Sequence, residues 1–79
     1  MSHLAAQFLS QNATIPALAI GGTSLRAAKR AAAKQCRSLG AGVSATVHAA
    51  GEAVSYYDGA RWRDLYRAEF LSRVYGVTT

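Results

Sequence analysis

The sequence predicts an α+β fold: an antiparallel β-sheet of about four to five short strands, one basic amphipathic helix packed on one face, and a short C-terminal helix. Three observations carry this. An alanine-rich stretch from Leu25 to Leu39 has a helical period and polar caps, residues 42–49 alternate at period two, and Asp58-Gly59 separates two further strand-like runs. At 79 residues the chain is too short for two ordinary domains, so residues 1–79 read as a single small domain.

At the start, His3 to Ser10 and Thr14 to Ile20 are apolar runs around the polar turn Gln11-Asn12, and Gly21-Gly22 closes the second. Both read as short strands, with Pro16 confining the second to an edge or a strand start. Ala5 and Ala6 make a short helix over Leu4 to Leu9 the alternative for the first. Ser24 or Thr23 caps the central helix, and Gly40 stops it just beyond Leu39. In the strand Gly42 to Ala49, Val43, Ala45 and Val47 face one side, and Ser44, Thr46 and His48 the other. Gly51-Glu52 turns it into Ala53 to Tyr57, and Asp58-Gly59 leads on to Arg61 and Trp62, which makes a three-strand meander. Trp62 and Tyr56 are expected inside, with Tyr57 exposed at the hairpin. From Asp64 onward Tyr66, Phe70 and Val74 repeat at four, Glu69 and Arg73 form an i,i+4 pair, and Gly76 ends a short helix.

Hydrophobic residues make up 51% of the chain and charged ones 16%, which is enough apolar material to fold and too little charge for a disordered tail. Much of that share is alanine, which buries little area. The core must therefore lean on Phe8, Trp62, Phe70, the tyrosines and a modest set of Leu, Ile and Val. A core of this size supplies about 3–5 kcal/mol, so oligomerisation or docking on a larger partner is expected. Cys36 is the single cysteine, so no internal disulfide forms, and with only His3 and His48 beside it no structural zinc site is expected. No apolar run approaches the ~18 residues of a membrane span, and no signal peptide opens the chain. The reading is a cytoplasmic protein with no membrane partner and no cofactor.

The formal net charge of +5 lies in one place. Residues 1–51 hold Arg26, Lys29, Arg30, Lys34 and Arg37 and no acidic residue, whereas the four basic and four acidic residues of 52–79 cancel. At about 100° per residue the five cations share an arc of roughly 140°, opposite Leu25, Ala28, Ala32, Cys36 and Leu39. None has an acidic partner at i+3 or i+4, and Arg26 in the first turn opposes the helix dipole, so local helix physics does not account for them. Either the face is solvated or it contacts phosphates, which makes Arg26, Lys29, Arg30, Lys34 and Arg37 the candidate DNA-binding residues.

Catalytic chemistry has little to stand on, and no enzyme is expected. The two histidines are far apart in sequence, and Gly42-Val43-Ser44-Ala45-Thr46 lacks the final glycine and strand-to-helix context of a nucleophile elbow. Cys36 falls on the apolar side of the helix, as a small core residue does. Gly21-Gly22-Thr23-Ser24 could offer backbone N–H groups to a phosphate, although it lacks the spacing and lysine of a P-loop and a plain turn with an N-cap is the favoured explanation. Tyr56, Tyr57, Trp62 and Tyr66, near Arg61 and Arg63, could stack on bases or anchor a protein interface.

Ser24-Leu25 with Ala28-Lys29-Arg30, Ala32 and Lys34-Gln35-Cys36, then a valine strand, a glycine turn and Tyr57-Asp58-Gly59-x-Arg61-Trp62-x-Asp64, resembles the ninth family of type I-F anti-CRISPR proteins. The resemblance covers Ser24 to Asp64, and the extension Leu65 to Thr79 has no counterpart in it. It implies a helix packed on an antiparallel sheet. It also implies a phage- or prophage-encoded, non-enzymatic inhibitor that binds a type I Cascade surveillance complex along its Cas7-type subunits in the host cytoplasm and blocks target DNA from pairing with the guide. Lys29, Arg30 and Lys34 match the helix positions through which such proteins draw in double-stranded DNA. Gln35 matches the partner contact at the helix end, and Arg37 stands where the family has an aromatic residue. Contact is expected from the helix end and adjoining loops, with Gln35, Arg37 and Tyr57 as partner-binding residues and Lys29, Arg30 and Lys34 facing outward. A stand-alone nucleic-acid-binding regulator and a virion or assembly protein are the alternatives.

Overall fold

In the computed structural model, which describes residues 4–11 and 13–79, five strands pair antiparallel in the order β2-β1-β3-β4-β5. They are β1 (Leu4–Leu9), β2 (Leu18–Ala19), β3 (Ser44–Ala49), β4 (Glu52–Tyr57) and β5 (Trp62–Asp64). The helix α1 (Leu25–Leu39) connects β2 to β3, and α2 (Ala68–Phe70) runs on into a π-helical segment, Leu71–Tyr75. His3, the expected start of the first strand, and Asn12 of the expected turn lie outside the described residues.

Each element follows from local chemistry with identifiable exceptions. Residues 4–9 form a strand rather than the alternative helix, because β1 pairs along its whole length with β3. The second run keeps only Leu18 and Ala19 as strand, paired to Ala6 and Ala5, since Pro16 has no N–H to give a ladder. The Ser24 side chain accepts a hydrogen bond from the Ala27 N–H at 3.2 Å, which caps α1. Gly40, at φ +113°, bonds its N–H to the Cys36 carbonyl and ends it. Strands β3, β4 and β5 form the expected meander, with Ala50-Gly51 in the first turn, both at positive φ. In the second, Asp58 Oδ1 accepts from the N–H groups of Ala60 and Arg61 at 2.8 Å each.

One hydrophobic core lies between α1 and a single sheet face. Ala28 and Ala32 are fully buried, as are Ala6, Val47 and Ala49 of the strands facing them. Small side chains on both surfaces let helix and sheet approach closely, and Leu4, Leu25, Val54, Leu71 and Val77 supply the bulk. Leu39, expected on the apolar face, is exposed because the helix ends there.

The aromatic arrangement corrects the expectation. Tyr57 is only 7% exposed and Tyr56 is 40% exposed, the reverse of the predicted placement, while Trp62 is half-buried and stacks on Tyr57 at 4.9 Å. The cause is a β-bulge. Val47 pairs with Ser55 but His48 pairs with Ala53, so Val54 is the extra residue, and Val54 and Ser55 are both fully buried in succession. Strict alternation from Val54 would put Tyr56 inside. The inserted residue shifts the phase by one and puts Tyr57 there.

The C-terminal helix is also one residue out of phase with its predicted stripe. Leu71 is fully buried and Tyr75 half-buried, leaving Tyr66, Phe70 and Val74 exposed, with the Tyr66 and Phe70 rings stacked at 4.9 Å. Glu69 and Arg73 border the same hollow beside Val77 and Thr78 but do not form the expected ion pair. Beyond Gly76 the chain returns to α1: the Leu25 N–H donates to the Thr78 carbonyl at 2.7 Å, and the Thr78 N–H donates to the Thr23 carbonyl at 2.8 Å.

Candidate nucleic-acid interface

The basic face of α1 is divided by the fold. Arg26, Arg30, Lys34 and Arg37 are exposed, in a row rising about 16 Å along the helix axis. Lys29 is not part of that row. It lies seven residues before buried Cys36, on the rim of the apolar side, and its ammonium meets Asp64 Oδ1 at 2.5 Å and sits 5.7 Å from the centre of the Trp62 ring. The expected outward orientation of Lys29 is therefore corrected, while that of Arg30 and Lys34 holds. Among the described residues Lys29–Asp64 is the single ion pair.

Asp64 is itself held from two sides, because the buried Ser55 hydroxyl donates to Oδ1 at 2.8 Å and also reaches the Arg63 carbonyl at 3.3 Å. Burial acts to raise the Asp64 carboxyl, but the bonds from Lys29 and Ser55 and the Lys29 charge outweigh it and hold the group below its ordinary range. Lys29 thus fastens α1 to β5.

The expected partner-binding residues converge in part. A cleft of roughly 270 Å³ between the end of α1, the 40–43 loop and the Asp58-Gly59 turn is lined by Arg37, Tyr57 and Gly59, among others. Gln35 is half-buried and is not one of the lining residues. Tyr57 is not the exposed ring that was expected: it packs inward and its hydroxyl donates to the Gly59 carbonyl at 3.0 Å. Cys36 also opens toward this cleft but is buried, and that burial pushes its thiol upward despite the Arg37 charge, so it is no activated nucleophile.

Gly21-Gly22-Thr23-Ser24 does not present a free set of helix N-terminal donors. The N–H of Leu25 goes to Thr78, that of Ala27 to the Ser24 side chain and that of Ala28 to the Ser24 carbonyl. His48 is half-buried on the sheet face away from α1, with Nδ1 3.3 Å from the Thr46 carbonyl. No group of three His, Cys, Asp or Glu among the described residues is placed to hold a metal, and none of their helices is long and apolar enough to cross a membrane.

The residues that carried the sequence resemblance thus have structural employment: Tyr57 stacks on Trp62, Asp58 closes its turn and Asp64 receives Lys29. Sequence reasoning missed the Lys29–Asp64 pair because its members stand far apart along the chain. No family model, curated protein or solved structure matches the chain.

Proposed function

We propose that the protein is a non-enzymatic anti-CRISPR inhibitor that binds a type I Cascade complex along its Cas7-type subunits and meets double-stranded DNA through α1. On this reading it is phage- or prophage-encoded and acts in the host cytoplasm. The observation that supports it is the row Arg26, Arg30, Lys34 and Arg37, which is solvent-facing and forms no ion pair among the described residues. The partner follows from the resemblance across Ser24 to Asp64, a segment that runs as helix and meander. Arg37 and Tyr57 line one cleft at the end of α1, and a rigid domain covers a large polar groove with little ordering entropy. Purified protein should co-migrate with a type I Cascade and stop it binding target duplex. Failure to associate with any type I subtype removes this reading.

The same row favours a second reading, a stand-alone duplex-binding regulator, because it needs no partner. Four phosphate contacts give a log–log salt slope of about −3.6, and Arg30→Ala with Lys34→Ala should reduce it to about −1.8. A flat salt response rejects DNA contact by α1 in both readings.

A further inference from the structure

Among the described residues, the sheet face turned away from α1 carries no buried side chain. Across it the strand registers align one transverse row: Gln7 opposite Thr46, Thr46 opposite Tyr56, and Tyr56 opposite Arg63. At the usual strand spacing this row spans about 14 Å and presents an amide, a hydroxyl, an aromatic ring and a guanidinium in order. The bulge at Val54 is what turns Tyr56 to this side, and re-aiming a side chain is a recurrent use of bulges. A tyrosine left 40% exposed in mid-sheet, when one residue less would bury it, is a ring made available.

The charge around it is predominantly basic. Arg63 shares the row, and Arg61 joins Tyr56 and Arg63 in lining a shallow hollow at its end. Asp58 also borders that hollow, but its Oδ1 already accepts from the Ala60 and Arg61 N–H groups. None of the strand residues that alternate onto this face is a carboxylate.

We propose that this face binds single-stranded nucleic acid, with a base stacked on Tyr56, the adjoining phosphate held by Arg63 and Arg61, and base edges met by Gln7 and Thr46. Stacking on an open sheet flanked by arginines suits unpaired bases, whose faces are free, and not a duplex, whose bases are already stacked. The site lies on the opposite side of the sheet from α1 and goes beyond the duplex contact proposed above.

The test is fluorescence anisotropy at low salt with labelled oligothymidylate and oligouridylate of about 12 nucleotides. Tyr56→Ala should weaken binding roughly tenfold and Tyr56→Phe should retain it, because stacking needs the ring and not the hydroxyl. Arg63→Gln should weaken binding and flatten the salt slope by about 0.7. Thermal melting checks the fold, and if Tyr56→Ala does not fold, Arg63→Gln carries the test. Arg30→Ala with Lys34→Ala separates the two faces: it should weaken duplex binding while single-strand binding keeps its dependence on Tyr56. Binding of one polymer and not the other supports the site and identifies the sugar it reads. The proposal is overturned if wild type binds neither oligonucleotide, if folded Tyr56→Ala or Arg63→Gln binds as wild type does, or if only the helix variant matters.

Discussion

Lys29 is counted with the cations of α1 by sequence and with the core rim by structure, and its partner shows why. Asp64 receives both Lys29 and Ser55, and its carboxyl is held low, so it favours the folded state only while ionised. The sign follows from linkage. A carboxyl depressed in the folded chain stabilises fully above its unfolded value near pH 4, and this contribution is lost as pH falls through the lower folded value. Asp64→Asn should cost about 0.5–1 kcal/mol at pH 7, modest because Asp64 is partly solvated. Urea unfolding should show the gap between variant and wild type narrowing toward pH 3; a gap independent of pH would contradict the assignment. Cys36 offers a second check. Buried and with its thiol pushed upward, it should resist a thiol reagent in native protein at pH 7 and react at once in denaturant. Fast labelling of native protein would show the helix end to be open.

At the level of elements, two local irregularities decide which side chains face where. The bulge in β4 exchanges the expected roles of Tyr56 and Tyr57, and the π-type turn after Phe70 leaves the Tyr66, Phe70 and Val74 stripe outside. The β3–β4 turn carries a correctable strain. Ala50 has φ +51° beside Gly51 at +83°, a turn in which asparagine is preferred at the first position and alanine meets a steric cost. Ala50→Asn should stabilise the protein by about 1 kcal/mol, read as a higher urea midpoint with unchanged slope. No gain would mean that Ala50 relaxes this turn in solution.

Across the whole molecule, the C-terminal segment acts as a strap. Leu71 and Val77 are fully buried, and Thr78 ties the chain end to Thr23 and Leu25 at the start of α1. Burying two such side chains contributes about 1.5–3 kcal/mol each, comparable with the total that a chain of this size attains. Deleting residues 71–79 should therefore abolish cooperative unfolding seen by circular dichroism; a truncated chain that still melts sharply would show the strap to be dispensable. The strap also bears on the resemblance, which stops at Asp64, because part of this core lies beyond it. The charge has a molecular layout as well: the exposed row of α1 and the Tyr56 face lie on opposite sides of one sheet.

The α+β class, the bounds of α1 with its Ser24 cap and Gly40 stop, the meander, and the concentration of charge on one helix are all legible in the residue order. These are local properties, set by periodicity, capping and turn chemistry within a few residues. The inward turn of Lys29 to Asp64, the burial of Tyr57 with Tyr56 displayed, and the clamping of α1 by the last residues arise from the folded packing alone. Each of these depends on partners distant in the chain or on one inserted residue in a ladder. A one-residue shift leaves composition untouched and sends every following side chain to the other face.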